Sequence, residues 1–229
     1  METIQIKPIA HIHNDFTAKF GIPRQSGLVQ QVVSKIIFTP EFRNADALRG
    51  LDGYSHLWLI WQFSEAVREN WSPTVRPPKL GGNTRMGVFA TRSPFRPNPI
   101  GLSAVKLESI DYTKTEGPVL IVSGCDLENG TPIYDIKPYL AFTDSHPDAV
   151  GGFTETLHLK PLTIHFADHC DTVLSAQQKN TLTGVLEQDP RPSYQEDAER
   201  VYGFLFADFE VKFKVDGEHL TVTEIRKAE

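Results

Sequence analysis

Short apolar segments separated by turn-forming residues dominate the first 140 residues of the chain. The densest is 54–63, an aromatic and aliphatic run that is long enough for a buried strand. Comparable patterns predict further strands at residues 4–12, 32–38, 86–90, 102–107 and 119–122. A short helix is expected only at 44–51. About six short strands with little helix between them favour a closed or nearly closed β-sheet and exclude a βαβ arrangement.

The pattern changes in the C-terminal third of the chain. Apolar periodicity predicts a helix that begins at a capping Asp171 or Thr172 and extends to about Glu187, just before a pair of prolines. Alternation at 209–215 and 220–225 predicts two strands, and the Asp-Gly pair between them is typical of a hairpin with a type I′ turn. This region is therefore expected to be a small α+β unit.

A linker is expected between the two regions, because residues 146–152 contain proline, aspartate and a Gly-Gly pair. We therefore predict a mainly β protein with two domains. The first is a β-barrel domain over residues 1–150, and the second is a small α+β C-terminal domain over residues 151–229.

Composition is that of an ordinary soluble globular protein. No apolar run approaches the roughly 20 residues that span a bilayer, and the N-terminus lacks the basic start and apolar stretch of a secretory signal. The two cysteines, Cys125 and Cys170, form neither a disulfide framework nor a zinc-type spacing. We therefore expect a cytoplasmic protein without a membrane segment or a bound metal.

Charge is distributed unevenly along a chain whose net charge is −6. Residues 1–140 contain 15 basic and 13 acidic side chains, whereas residues 141–229 contain 8 and 16. Within 71–107 there is no acidic residue, and the basic ones are Arg76, Lys79, Arg85, Arg92, Arg96 and Lys106. This local excess predicts a surface that meets phosphate or carboxylate. The alternative is a solvated loop whose basic residues pair with acids elsewhere in the fold.

Three segments are too rich in Gly, Pro, Arg and Asn to be explained by packing: 21–27, 87–102 and 126–139. In the second segment three prolines fall within 94–99, which fixes φ at each and makes the loop rigid and extended. A rigid loop that displays arginine, serine and asparagine suits a ligand site. The alternative is a structural crossover with its arginines in water. The chain has no GxGxxG turn, so a dinucleotide-type cofactor site is absent.

The stretch ATRSPFRPNPIG at 90–101, with PRQ at 23–25 upstream and DIKPY at 135–139 downstream, resembles the signature of the TrmO (YaeB-like) tRNA methyltransferase family. YSHLWLIW, VRPPKLGGN and QDPRPSY are similar to other segments of that family in order and spacing. The resemblance covers nearly the whole chain. It implies a β-barrel methyltransferase fold and a homodimer. It also implies methyl transfer from S-adenosylmethionine to N6 of threonylcarbamoyladenosine at position 37 of tRNA, next to the anticodon.

The resemblance also implies a set of cofactor-binding residues. They are Pro23, Arg24, Gln25, His56, Leu57, Arg92, Leu102, Asn129, Gly130, Thr131 and Pro132. Within this set, Leu57 and Leu102 are expected to form an apolar wall for the adenine, and Arg24 or Gln25 to hold the carboxylate. The backbone carbonyls of 129–132 are expected to face the sulfonium. Many family members are expected to have Asp where this chain has Asn129, so a hydrogen bond there must be rearranged.

Methyl transfer depends mainly on alignment and charge stabilisation. The acceptor nitrogen is ureido-like and gains from a base, for which His56, Asp126 and Asp135 are the candidates. His56, however, lies in a strand of aromatic residues, where a core position is the more common outcome. Trp58, Trp61 and Trp71 are likewise expected to be core residues rather than base-stacking platforms.

Substrate recognition is expected to rely on the basic segment. Arg92, Arg96 and Asn98 are expected to position the substrate, with Arg92 or Arg96 pairing with the carboxylate of the threonyl group. Phosphate contacts are expected from Arg76, Lys79 and Arg85.

Other functions compete with this interpretation. One is a methyltransferase that uses the same cofactor on a small molecule or a protein, and another is a non-enzymatic RNA-binding barrel. A metal hydrolase is disfavoured, because His11 and His13 lack a matching carboxylate-rich motif.

Overall fold

The structure, a computed structural model, describes residues 4–64, 70–156, 160–191 and 197–228. As the sequence predicts, the described residues are mainly β. The strands are β1 (Ala10–His13), β2 (Val33–Phe38), β3 (His56–Gln62), β4 (Thr74–Val75), β5 (Met86–Gly87), β6 (Ile100–Asp111), β7 (Val119–Ser123), β8 (Pro132–Pro138), β9 (Thr163–Phe166), β10 (Tyr202–Phe206), β11 (Phe209–Asp216) and β12 (His219–Lys227).

Six antiparallel strands close into a barrel in the order β1-β2-β7-β6-β3-β8, which confirms the predicted closed sheet. The central ladder joins β3 to β6 from His56 opposite Lys106 to Gln62 opposite Ile100. Side chains of β3 alternate between the interior and the outside, so Leu57, Leu59 and Trp61 enter the core. The dense apolar run of this strand is therefore buried on one face rather than on both.

The strand that closes the barrel, β8, is absent from the sequence-based prediction. It pairs with β1 on one side and with β3 on the other. Its sequence, PIYDIKP, begins and ends with proline and contains two charged residues, so it lacks a clear apolar alternation. Proline is tolerated at the ends of a strand, where its missing N–H interrupts little of the ladder.

Helices in the barrel region are short. The helix predicted at 44–51 is in fact two separate 3-10 helices, and the strand predicted at 86–90 is two residues of β5 followed by a 3-10 turn. The 3-10 helices are Pro40–Phe42, Ala45–Leu48, Leu51–Gly53, Pro78–Leu80, Val88–Ala90, Gly152–Thr156 and Asp168–Cys170, and one α-helical turn, α1, is Ala141–Asp144. No helix in the described ranges is long and apolar enough to cross a membrane.

The C-terminal sheet has the strand order β10-β11-β12-β9. Helix α2 (Ala176–Glu187) begins later than predicted, because Ser175 caps it through a capping box with Gln178. The predicted hairpin of β11 and β12 is confirmed, but its turn differs: the central residues are Gly217 and Glu218, since Asp216 already pairs with His219. Gly217 has φ +56 and Glu218 a negative φ, the pattern of a type II′ turn. Strands β9 and β10 are also missing from the sequence-based prediction.

The barrel and the C-terminal sheet share one hydrophobic core. Phe16 and Phe20 of the barrel region meet Phe206 and Phe204 edge-on, with ring centroids 5.7 and 5.9 Å apart. Gly21 has φ +97, and a Cβ there would lie 2.4 Å from a carbon of the Phe204 ring. The C-terminal sheet therefore fixes the start of the 21–27 segment.

Candidate functional site

A cavity of about 480 Å³ lies where β3 ends and β6 begins, at one end of the barrel. Its volume falls in the range of small-molecule and cofactor sites. It brings together the three segments that the sequence singles out, with β3 between them. The lining residues are Lys19, Ile22, Pro23, Arg24, Gln25, Trp58, Trp61, Gln62, Phe63, Ser64, Thr91, Arg92, Pro94, Arg96, Ile100, Gly101, Leu102, Asp126, Glu128 and Thr131.

The two arginines of the proline-rich loop have different environments. Arg92 is exposed, and its Nη1 donates to Oε1 of Gln25, which links this loop to the 21–27 segment. Arg96 donates from Nη1 to the carbonyls of Val88, at 3.2 Å, and Thr91, at 2.6 Å. Arg96 therefore braces its own loop, whereas Arg92 presents its guanidinium at the cavity.

Arg24 lies in the cavity wall with half of its guanidinium engaged by the C-terminal region. Its Nη2 donates to the backbone carbonyls of Asp189 and Arg191. Its Nη1 is buried and has no hydrogen-bond partner within the described residues. Burial lowers the pKa of Arg24, and the charge of Asp189 acts against that shift. A buried cationic donor without a partner is costly, so the site favours an anionic ligand group at this atom.

The described part of the late QDPRPSY segment, residues 188–191, completes this part of the site, and residues 192–194 lie outside the described residues. Asp189, in the left-handed region at φ +47, forms an ion pair of 2.9 Å with Arg191. Burial opposes ionisation of Asp189, but hydrogen bonds and charge from Arg191 outweigh it and lower the pKa of the carboxyl. Burial, with the charges of Arg24 and Arg191, also lowers the pKa of Lys79. The sequence predicts that Lys79 contacts phosphate. In the structure Lys79 is instead half-buried beside this cluster.

In the described part of the chain, Asp126 is one of two carboxylates, with Glu128, that line the cavity. The Ser103 hydroxyl donates to its Oδ1 at 2.6 Å, and Nε1 of Trp61 donates to Ser103 Oγ at 2.9 Å. Burial raises the pKa of Asp126, while the Ser103 hydrogen bond and the charge of Arg92 act against it. The indole of Trp61 fits because Gly101 has no side chain: a Cβ there would lie 2.3 Å from the ring.

The other two candidate bases lie apart from the cavity lining. His56 is exposed at the first residue of β3, with Nδ1 2.9 Å from Ser55 Oγ, so the expected core position is wrong. Asp135 forms an ion pair of 2.8 Å with Lys137. Leu57 is fully buried in the barrel core, which contradicts its predicted role as an adenine-facing wall.

The 129–132 turn packs against the end of β1 and the residues that follow it. Asn129 Oδ1 accepts from the Asn14 N–H at 3.1 Å, and the Gly130 N–H donates to the Ile12 carbonyl at 2.8 Å. Of the four predicted residues, Thr131 alone lines the cavity, and its carbonyl accepts from the Ile12 N–H. The Thr131 carbonyl is thus already engaged by the backbone, and Asn129, Gly130 and Pro132 lie outside the set of lining residues.

The remaining predicted residues divide between the cavity and the surface. Pro23 and Leu102 line the cavity, and Leu102 is 56% exposed. Asn98 lies on the exposed turn before β6, outside the set of lining residues, and its carbonyl accepts from the Ile100 N–H at 2.8 Å. Arg76 and Arg85 are exposed beside the β4–β5 ribbon, where Arg85 donates to Thr74 Oγ1 at 3.1 Å.

Comparison with known proteins identifies the family of the chain. Residues 11–145 match the family model for the tRNA-methyltransferase O N-terminal domain, and residues 159–228 match that for the TrmO C-terminal domain. The chain is 40% identical, over 94% of each protein, to a tRNA (adenine(37)-N6)-methyltransferase of Escherichia coli. It is 37% identical, over 91% of each, to a putative S-adenosylmethionine-dependent methyltransferase, RcsF, of Pseudomonas aeruginosa.

Solved structures give the same result. A crystal structure of TrmO from P. aeruginosa superposes on the chain with a TM-score of 0.80 at 30% identity, covering 100% of this chain and 99% of the other. Sequence motifs, barrel topology and the cavity that joins those motifs all lead to one assignment: the chain belongs to the TrmO family of tRNA methyltransferases.

Proposed function

We propose that the protein transfers the methyl group of S-adenosylmethionine to N6 of adenosine 37 in tRNA. The relatives named for this reaction and for this cofactor support the proposal. The observation that carries it is the cavity that joins the segments 21–27, 87–102 and 126–139 around the buried guanidinium of Arg24.

The residues of the cavity fit S-adenosylmethionine. When bound, this cofactor supplies a methyl group on a positively charged sulfur. The unpartnered Nη1 of Arg24 suits the carboxylate of its amino-acid end, and Ile22, Ile100 and Leu102 offer apolar surface to the adenine in place of Leu57. Asp126 and Glu128 line the same cavity, and their carboxylates make its interior favourable for a cation.

Asp126 is the residue that we assign as general base. The acceptor nitrogen carries a proton that must leave as its bond to the methyl carbon forms. The carboxylate of Asp126 takes this proton and later releases it to water. Because burial raises the pKa of Asp126, its affinity for a proton is closer to what base catalysis at neutral pH needs. The Ser103 hydroxyl holds the carboxylate in place through its 2.6 Å hydrogen bond.

We further propose that the acceptor is adenosine that already carries a threonylcarbamoyl group. The carboxylate of that group would pair with Arg92, whose guanidinium is exposed at the cavity and keeps donors beyond the one given to Gln25. Arg96 suits this role less well, because it braces two carbonyls of its own loop.

Three broader features belong to the same proposal. A homodimer is part of the proposal because the family resemblance implies it, and Phe142, which is 88% exposed in α1, is a candidate contact residue. A cytoplasmic location is supported by two free, buried cysteines, and burial raises the pKa of Cys125 to about 12. The domain division at residue 150 is supported by the strands, since the barrel ends at β8 and the second sheet begins at β9.

The experiment uses labelled S-adenosylmethionine and two tRNA preparations that differ only in the threonylcarbamoyl group. Label is expected in N6-methylated threonylcarbamoyladenosine by nucleoside mass spectrometry, and ribonuclease treatment should abolish incorporation. Incorporation that survives ribonuclease would show a small-molecule or protein acceptor and contradict the proposal. If Arg92→Ala keeps the preference for the modified tRNA, the role of Arg92 is wrong.

A further inference from the structure

Two aromatic rings are stacked on the surface beside the cavity. Trp71 is 52% exposed, so the core position expected for it is wrong, and Phe89 is 71% exposed. Their ring centroids are 6.1 Å apart and their planes are inclined by 28°. Large apolar rings are normally withdrawn from water, because burial of each stabilises the fold. A stacked pair left in solvent is therefore a candidate contact surface.

The pair lies at the rim of the cavity. Strands β4 and β5 hold the two segments together, and the Val88 N–H donates to the Pro73 carbonyl at 2.9 Å. The Arg96 guanidinium lies 5.8 Å from the centre of the Phe89 ring, and Arg96 itself lines the cavity. One side chain thus connects the aromatic pair to the site of methyl transfer.

Charge around the pair identifies the class of partner. Residues 71–107 contain six basic and no acidic side chains in a chain of net charge −6. Arg76 and Arg85 are exposed on the same β4–β5 ribbon. Exposed aromatic rings interleaved with arginine are typical of surfaces that bind single-stranded nucleic acid. An uncharged peptide would not use these arginines, whereas the phosphates of an RNA pair with them.

We infer that Trp71 and Phe89 form a stacking platform for a nucleobase of the tRNA next to the nucleoside that is methylated. The inference rests on the proposed function, because it places the target nucleoside in the cavity. To reach the cavity, the target must leave the stack of bases in the anticodon loop. Its neighbour then loses a stacking partner, which the exposed ring face replaces.

The test measures binding of an anticodon stem-loop RNA, which needs no methyl transfer. Phe89→Ala is expected to weaken RNA binding by about tenfold in fluorescence anisotropy. Phe89→Tyr keeps the ring and should bind as the unaltered protein does. Tyr112→Ala is the matched control, because Tyr112 is 53% exposed just beyond the opposite end of β6. Affinity for S-adenosylmethionine, measured by calorimetry, should be the same in all four proteins.

A second measurement detects stacking itself and does not depend on affinity. RNAs that carry 2-aminopurine on the 5′ or the 3′ side of the target are titrated with protein. The unaltered protein should change the 2-aminopurine fluorescence of one of these RNAs. This change should be absent with Phe89→Ala and with Trp71→Ala.

Three outcomes overturn the platform. The first is that Phe89→Ala binds RNA with an affinity within twofold of that of the unaltered protein, and the second is that the fluorescence of neither 2-aminopurine RNA differs between the unaltered protein and the aromatic variants. The third is that Phe89→Ala changes the molecular mass of the protein measured by light scattering. The last would make the pair a subunit contact. If any of these occurs while the unaltered protein still methylates tRNA, the proposed function stands without the platform. If the unaltered protein does not methylate tRNA, the proposed function itself fails.

Discussion

Asp126, the proposed general base, is the residue of the cavity whose substitution should affect the reaction most. Asp126→Asn keeps the shape of the side chain but removes the proton acceptor, so kcat is expected to fall by about 10²–10⁴-fold. Glu128 keeps a carboxylate in the cavity, so the KM for S-adenosylmethionine should change less than kcat. Because a base acts only when ionised, the kcat of the unaltered enzyme should fall as pH drops through the raised pKa of Asp126. Single-turnover rates measured across pH check both points, and a kcat within tenfold of normal would contradict the assignment.

The thermal stability of Asp126→Asn distinguishes a catalytic role of Asp126 from a structural one. A carboxyl whose pKa is raised by folding favours the protonated form in the folded state, so the stability it contributes falls as pH rises from its ordinary pKa through the raised one. Asp126→Asn should therefore unfold at the same or a higher temperature than the unaltered protein at neutral pH, with the difference shrinking in acid. A large loss of stability at neutral pH would instead indicate a structural role.

Arg24 tests the orientation of the cofactor. Arg24→Met removes a charge-assisted hydrogen bond, so affinity for S-adenosylmethionine should fall by about 10–100-fold in calorimetry. Methylthioadenosine lacks the amino-acid end, and its affinity should be unchanged. Equal losses for both compounds would mean that Arg24 acts only through its bonds to the Asp189 and Arg191 carbonyls. Arg49→Met, at an exposed ion pair with Asp46, is the control.

At the residue scale, the sequence predicted the polar part of the site better than the apolar part. Arg24, Gln25 and Arg92 all line the cavity. Polar residues on loops that a rigid scaffold positions commonly form binding sites, so their motif alone predicts this location. The role predicted for Leu57, an apolar wall for the adenine, is wrong because side chains alternate between the two faces of β3 and Leu57 points into the core. The sequence offers Asp126 as one of three candidate bases, and only the fold shows that it lines the cavity while His56 and Asp135 do not.

At the element scale, the contact between the 21–27 segment and the C-terminal sheet should be sensitive to one added methyl group. Gly21→Ala combines a positive φ with a Cβ 2.4 Å from the Phe204 ring, so it should destabilise the protein by about 2–5 kcal/mol. Gly50→Ala is the matched control. It has φ +83 with open space around the Cβ position, so it should cost only about 1–2 kcal/mol. Denaturant unfolding measures both, and equal losses would contradict the proposed packing.

Elements with strong local signals were predictable, and elements fixed by distant partners were not. The runs that became β2, β3, β6 and β7 have continuous or alternating apolar residues. Strand β8, in contrast, forms because β1 and β3 offer it two ladders, which its proline- and charge-containing sequence does not reveal. The hairpin turn followed the same rule: the pairing of Asp216 with His219 selects Gly217 and Glu218 as central residues, and this pairing depends on register.

At the scale of the whole molecule, the separation of charge decides how an acidic protein binds a polyanion. The basic side chains of 71–107 are contiguous in sequence, and two of them, Arg76 and Arg85, are exposed on one ribbon. The acidic excess lies in residues 141–229. Screening acts over about 10 Å at 0.1 M salt, so RNA on the ribbon responds to nearby arginines more than to the net charge.

This argument gives a quantitative prediction for the salt dependence of tRNA binding. Neutralising Arg76 and Arg85 together, as Arg76→Gln with Arg85→Gln, should weaken binding and reduce the slope of log K against log salt by about 1.4–1.8, which corresponds to two phosphate contacts. Lys160→Gln removes one charge from the acidic region, at an exposed ion pair with Glu218, and should leave the slope unchanged. If the slope falls in proportion to the charge removed, so that Lys160→Gln has half the effect of the double variant, net charge rather than the basic ribbon governs the encounter with tRNA.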